Sequence, residues 1–174
     1  YDETDLAFVR RLCEEDGLYY HFEPSEGHDT FVLDDTSSEA PKALDEPLAL
    51  VDASAALPSW PALYHARRVR ARRPGKVTLR DYDPKKPALD LEATASGGVD
   101  KEQQTEVYRA PFGYTDPGEG KRLASILLES LRAESNVVSF HSTFQGLRPG
   151  LRFAVELDPG YVGSARPEGE HVVV

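Results

Sequence analysis

The hydrophobic pattern changes period once within the first 35 residues. Leu6, Val9, Leu12 and Cys13 recur at helical spacing with Phe8 beside them, while Arg10, Arg11, Glu14 and Glu15 fill the other side, which predicts an amphipathic helix. Asp2 or Thr4 can accept the orphan amides at its start, and Asp5 puts favourable charge in the first turn. Gly17 is the natural left-handed stop. Beyond it Leu18, Tyr20 and Phe22 alternate with Tyr19, His21 and Glu23, as a strand requires. Pro24-Ser25-Glu26-Gly27 reads as a turn, and Thr30 to Leu33 as a returning strand. Residues 1–35 are therefore expected to be a helix plus a β-hairpin.

Periodicity fades over residues 36–61. Pro41, Pro47, Pro58 and Pro61 break this stretch, which reads as a linker or surface loop, with Trp60 as an anchor onto the next domain. Strand patterning resumes at Leu63 to Arg72, turns at Pro74-Gly75 and returns through Val77, Leu79 and Asp81. Asp83-Pro84-Lys85-Lys86-Pro87 predicts a corner. Leu89, Leu91 and Ala93 then alternate, Gly97-Gly98 marks a flexible tip, and Glu106 to Tyr108 reads as a short strand before a turn at Phe112-Gly113-Tyr114.

The clearest helix spans 117–134. Asp116 is a good N-cap, Pro117 sits where a missing amide costs nothing, and Glu119 completes the box. Leu123, Ala124, Ile126, Leu127, Leu128 and Leu131 form a wide apolar stripe. Burying six such side chains is worth on the order of 10 kcal/mol before entropy, so the helix must pack on a sheet or a partner. Strands are expected at Val137 to Thr143 and Leu151 to Leu157, with a turn at Leu147-Arg148-Pro149-Gly150 between them and a last strand at His171 to Val174. The pattern as a whole is α+β and mostly β.

Charge is unevenly spread. Residues 1–52 hold fifteen acids and three bases, whereas the remainder holds fifteen acids and seventeen bases. Arg67, Arg68, Arg70, Arg72, Arg73, Lys76 and Arg80 form a positive run without an acid. It reads either as a solvated strand face or as a surface that meets an acidic neighbouring subunit, with Arg67, Arg68, Arg70 and Arg72 as the interface candidates. Nucleic acid is the weaker reading, because the run has no aromatic residues for base stacking and the whole chain carries a formal charge of −10. No eighteen-residue apolar run exists to span a membrane. The single cysteine, Cys13, reads as a small buried hydrophobe. With no methionine anywhere, the chain is expected to be a piece of a longer protein.

Chemistry-bearing patterns are sparse. Asp81-Tyr82-Asp83 sets two carboxylates on one side of a strand, but an oxygen-ligand metal site needs several more converging groups. The preferred reading is a structural corner whose Asp side chains hold turn amides. His21, His28, His65, His141 and His171 are scattered, with no pair at metal-ligand spacing. No nucleophile elbow exists, and Gly118-Glu119-Gly120 lies inside a helix start rather than in a phosphate loop. Neither an enzyme nor a cofactor is expected.

Four segments in order carry a resemblance: YDETDLAFVRRLCEEDGLYYHFE, VTLRDYDPKKPALDLEA, EVYRAPFGYTDPGEGKRLASILLESLRAES and FQGLRPGLRFAVEL. Together they resemble VgrG, the spike of bacterial type VI secretion systems, and the wider family of phage tail late-control proteins and baseplate hubs. The resemblance covers most of residues 1–157 and is weaker at 36–60 and from Pro159 onward. It implies a baseplate-hub-like β-barrel domain over 62–174 with one packed helix. The module at 1–35 accompanies it, and no first barrel or needle is included.

The job implied is mechanical. In the full-length protein a homotrimer would cap an Hcp-like tail tube, carry an effector or needle-tip protein, assemble in the bacterial cytoplasm and then be secreted. Two other readings remain, a phage or extracellular contractile-injection hub and a spike-attached hydrolase domain. The last predicts a convergent carboxylate or histidine pocket, and Asp81 and Asp83 exposed around a metal would support it. Fold-defining roles fall to Leu6, Phe8 and Leu12 for docking the first helix, Gly17 for its stop, and Asp81 and Asp83 for the corner. Leu123, Leu127 and Leu131 would seat the second helix, and Pro149 with Gly150 the last turn. The piece alone is expected to trimerise weakly or not at all.

Overall fold

The computed structural model describes residues 2–52 and 58–174, and it is α+β and mostly β. In chain order its elements are α1 (Asp5–Asp16), β1 (Tyr19–Ser25), β2 (His28–Asp34), β3 (Leu48–Leu50), β4 (Ala62–Arg70) and β5 (Lys76–Asp81). They continue with β6 (Leu91–Ser96), α2 (Asp100–Gln103), β7 (Glu106–Arg109), α3 (Pro117–Arg132), β8 (Asn136–Ser142), β9 (Arg152–Leu157) and β10 (Gly169–Val172). The chain divides into two compact units. The first takes residues up to Leu18 with Arg70–Ser135, and the second takes Tyr19–Val69 with Asn136–Val174.

In the first unit β5 is the middle strand of three. It pairs antiparallel with β6, Leu79 opposite Ala93, and parallel with β7, Val77 opposite Val107. The helix α3 lies against β5 and β6, and its buried Ala124, Leu127 and Leu128 join Val77, Leu79, Leu91, Ala93 and Tyr114 in one core. Leu123 and Leu131 pack at the margin of that core. The start of α3 follows its capping chemistry, since the Asp116 carboxylate accepts the Glu119 amide at 3.0 Å and Pro117 occupies the first turn. Arg132 ends the helix, and a 3₁₀ turn at Ala133–Ser135 comes next.

The helix α1 belongs to this unit too. Thr4 Oγ1 accepts the Ala7 amide at 3.3 Å, and Gly17 closes the helix with φ +75°. A β-carbon at Gly17 would stand 3.0 Å from Ile126 of α3, so the glycine also allows close approach there. Contrary to the docking role expected of them, Leu6, Phe8 and Leu12 are 50%, 45% and 39% exposed, and Cys13 is the buried residue of the helix. The apolar stripe is wider than the face α3 covers.

In the second unit a five-stranded sheet runs in the order β10-β9-β3-β4-β8. Leu48, Leu50, Leu63, Phe153 and Val155 make its core. The stretch read as a linker or loop thus supplies β3, paired parallel with both β4 and β9; its part at 53–57 lies outside the described residues. Trp60, read as an anchor, is 56% exposed, and its carbonyl accepts from Thr143 Oγ1 at 2.9 Å. Pro74-Gly75 does not turn a hairpin, since β4 and β5 belong to different sheets. Instead the Gly75 amide donates to the carbonyls of Glu102 and Thr105, a backbone-to-backbone approach with no room for a side chain. The pair β1 and β2 forms its own two-stranded ribbon, with Phe22 opposite Phe31.

Candidate assembly interface

The residues singled out from the sequence fall into internal braces and outward faces. The tightest brace is Asp81, the last residue of β5. Its Oδ2 accepts the amides of Phe112, Gly113 and Tyr114 at 3.0, 2.5 and 3.2 Å, and its Oδ1 accepts the Tyr82 amide at 2.7 Å. Four donors on one carboxylate, the Gly113 amide foremost, hold it below the usual carboxylate range. Asp83 is buried, and its Oδ1 accepts the Lys85 amide at 2.8 Å, which closes the corner where Pro84 turns the chain. Both Asp81 oxygens and Oδ1 of Asp83 are thus engaged by backbone amides. No group of three metal-ligating side chains occurs among the described residues.

Beside the corner, Tyr114 is buried and its hydroxyl donates toward the carbonyls of Leu79 (3.2 Å) and Leu91. The sequence pattern assigns Tyr114 only to a turn. Its burial as an aromatic brace depends on contacts 23 and 35 residues away. A second brace carries no local sequence signal either. Arg132, at the end of α3, donates to the Pro74 carbonyl at 3.1 Å and pairs with Glu102 at 2.9 Å.

The positive run is partly spent on internal bonds. Arg68 donates to Asn136 at 2.8 Å, Arg72 to the Lys101 carbonyl at 2.6 Å and Arg73 to Glu134 at 2.9 Å. Lys76 pairs with Glu106 at 3.0 Å. Arg67 and Arg70 are exposed and make no ion pair among the described residues.

Two outward apolar faces are present. One is the exposed side of α1 with Leu6, Phe8 and Leu12, where the Arg11 guanidinium lies 5.3 Å from the Phe8 ring. The other is one face of the β1–β2 ribbon. There Tyr20, Phe22 and Phe31 cluster with ring centroids 5.2 to 6.2 Å apart, next to Leu33. Phe22 is 53%, Phe31 42% and Leu33 48% exposed. The signal for this face is present in the alternation of Leu18, Tyr20 and Phe22. What alternation does not tell is whether the apolar side is covered.

On the ribbon's other face His21 is buried, and its ring fills the space beside Gly150. In the turn, the Leu151 amide donates to the Arg148 carbonyl at 3.2 Å across Pro149 and Gly150, and Gly150 has φ +82°.

The sequence model of the phage tail baseplate hub (GPD) matches residues 1–174. The chain belongs to the phage tail baseplate hub family. Within that setting it is similar to type VI secretion spike proteins. It is 38% identical to spike protein VgrG5 of Pseudomonas aeruginosa over 136 residues, 77% of this chain and 17% of that protein. Spike protein VgrG4b of the same organism is 37% identical over the same shares. The actin cross-linking toxin VgrG1 of Vibrio cholerae is 32% identical over 166 residues, 91% of this chain and 15% of the toxin. This hub chain therefore spans about a sixth of the length of these relatives. Among its described residues no helix is long and apolar enough to cross a membrane.

Proposed function

We propose that this chain is a structural wall of a trimeric, VgrG-like spike whose full-length form caps an Hcp-like tail tube and carries an effector or needle-tip protein. Such a spike assembles in the bacterial cytoplasm and leaves by secretion or injection. The observation that carries the reading is the outward aromatic face of the β1–β2 ribbon in a chain of the hub family. A two-stranded ribbon with Phe22, Phe31 and Leu33 exposed on one face offers a surface for a partner. The proposal gives the fold-defining residues their roles: Asp81 and Asp83 hold the corner, Gly17 stops α1, Leu123, Leu127 and Leu131 seat α3, and Pro149 with Gly150 set the last turn. Arg67 and Arg70 are left to meet an acidic neighbour, with Arg68 and Arg72 beside them.

Magnitudes limit what this piece does alone. An aromatic side chain offers about 150–250 Å², so Phe22 and Phe31 at roughly half exposure, with Leu33, form a patch on the order of 300 Å². A stable interface needs about 800 Å² per partner. The isolated chain is therefore a weak self-associator, and the trimer draws on surface contributed elsewhere in the full-length protein.

The test uses the full-length protein in its bacterium. Phe22→Asp with Phe31→Asp is expected to abolish export of the tail-tube protein and to shift the purified spike from trimer to monomer by light scattering. A trimeric double variant with normal export would overturn the proposal. A second reading, a phage or extracellular contractile-injection hub, is favoured by the matching model's own phage-tail description. It predicts the same assembly defect, but in particle formation and infection rather than secretion.

A further inference from the structure

We propose that His65 and His141 together form a site for one divalent first-row transition metal ion of the zinc or copper type. His65 lies in β4 and His141 in β8, neighbouring strands of the five-stranded sheet. Their ring centroids are 5.3 Å apart with the planes at 79°. A metal–imidazole bond is about 2.0–2.1 Å and the ring centre lies roughly 1.1 Å beyond the nitrogen, so each centroid stands about 3.2 Å from a bound ion. At a tetrahedral angle the two centroids are then about 5.2 Å apart. That separation permits chelation, and it is also the separation of an aromatic ring contact, which Tyr64 makes with both histidines at 5.4 Å.

The second observation is in the backbone. His65 has φ +52°, and among the described residues it is the non-glycine residue with positive φ. Such a conformation is costly, and histidine is one of the few residue types that adopt it at all. Consecutive strand residues point to opposite faces, yet the rings of Tyr64 and His65 lie 5.4 Å apart, and Tyr64 is also 5.4 Å from His141. The strand leaves its regular path at the residue that meets His141, and the departure puts both imidazoles and Tyr64 on one side.

Both histidines are exposed, so an ion reaches them from solvent. His65 also lines a concavity of about 450 Å³. No third His, Cys, Asp or Glu completes a closed ligand set among the described residues, so water fills the remaining positions and the site binds more weakly than a structural zinc centre. Once bound, the ion cross-links β8, at the margin of the sheet, to β4.

The experiment titrates the untagged chain with ZnCl₂ by calorimetry and with CuCl₂ by electron paramagnetic resonance. One equivalent is expected to bind, with a two-nitrogen signature for copper. His65→Asn keeps a residue type that tolerates positive φ and removes the ligand, and His141→Gln removes the other. Each is expected to weaken binding at least tenfold, whereas His28→Gln leaves it unchanged. Absence of saturable binding, or variants that bind like the parent chain, overturns the proposal. Should a variant fail to fold, copper broadening of imidazole resonances in the parent chain decides. Broadening of His65 and His141 ahead of the other three histidines supports the site, and uniform broadening sinks it.

Discussion

Gly150 and His21 occupy each other's space: a β-carbon at Gly150 would stand 2.5 Å from both ring nitrogens of the buried imidazole. Two separate penalties therefore meet at this glycine, the contact and the left-handed φ of +82°. Gly150→Ala is expected to destabilise the chain by about 2 kcal/mol through these terms. Adding His21→Ala should return part of that loss, because the imidazole is gone while the backbone strain remains. A double-mutant cycle from urea midpoints reads the coupling. Strict additivity would show that the ring and the turn are independent.

The Asp81 corner predicts a pH dependence with a definite sign. Its carboxyl is held below the usual range by backbone amides, Gly113 first, so it titrates lower in the folded state than in the unfolded one. The stability it contributes is complete above the ordinary carboxylate value of about 3.9 and is lost as pH falls through the lower folded value. Asp81→Asn is thus expected to be less stable than the parent at pH 7, with the deficit shrinking below about pH 4. Urea midpoints at pH 7, 5 and 3 check this, and a deficit independent of pH would contradict it.

Leu127 and Leu6 make a contrasting pair. Leu127 is buried in the core between α3 and the three-stranded sheet, whereas Leu6 is half exposed. Leu127→Ala should cost about 2–5 kcal/mol, and Leu6→Ala about 0.5 kcal/mol or less. Thermal melts of the two variants separate these cases. A large loss from Leu6→Ala would mean that α1 docks through the stripe the structure leaves open.

Asp116 caps α3 through the Glu119 amide. Asp116→Ala is expected to lower stability by about 1 kcal/mol, and Asp116→Ser to restore most of it. Amide hydrogen exchange in the first turn of α3 should rise in the alanine variant alone.

Local chemistry makes α3 readable from the amino acids themselves. Asp116, Pro117 and an unbroken leucine stripe all act within a few residues of one another, and the helix lies where they put it, with its end at Arg132 rather than 134. The hairpin is legible for the same reason. Leu48-Ala49-Leu50 is not, because three residues among prolines carry no period. They become a strand through parallel partners, one of them at 155–157, more than a hundred positions away. His65 and His141, 76 positions apart, are likewise invisible as a pair in the sequence. For α1 the periodicity announces an apolar side without saying how much of it is covered. Leu6, Phe8 and Leu12 remain open, while Cys13 is sealed.

The placement of β3 between β4 and β9 sets a timetable for biosynthesis. A ribosome releases residues 48–70 well before residues 152–157 exist, so the nascent sheet has its middle strand with one side unfilled. Its buried leucines at 48, 50 and 63 are then exposed to chaperones, or to the same segment on a neighbouring polysome chain. Slowing synthesis before residues 152–157 are made should therefore prolong chaperone engagement and lower the soluble yield, whereas a pause placed after those residues have left the ribosome should not.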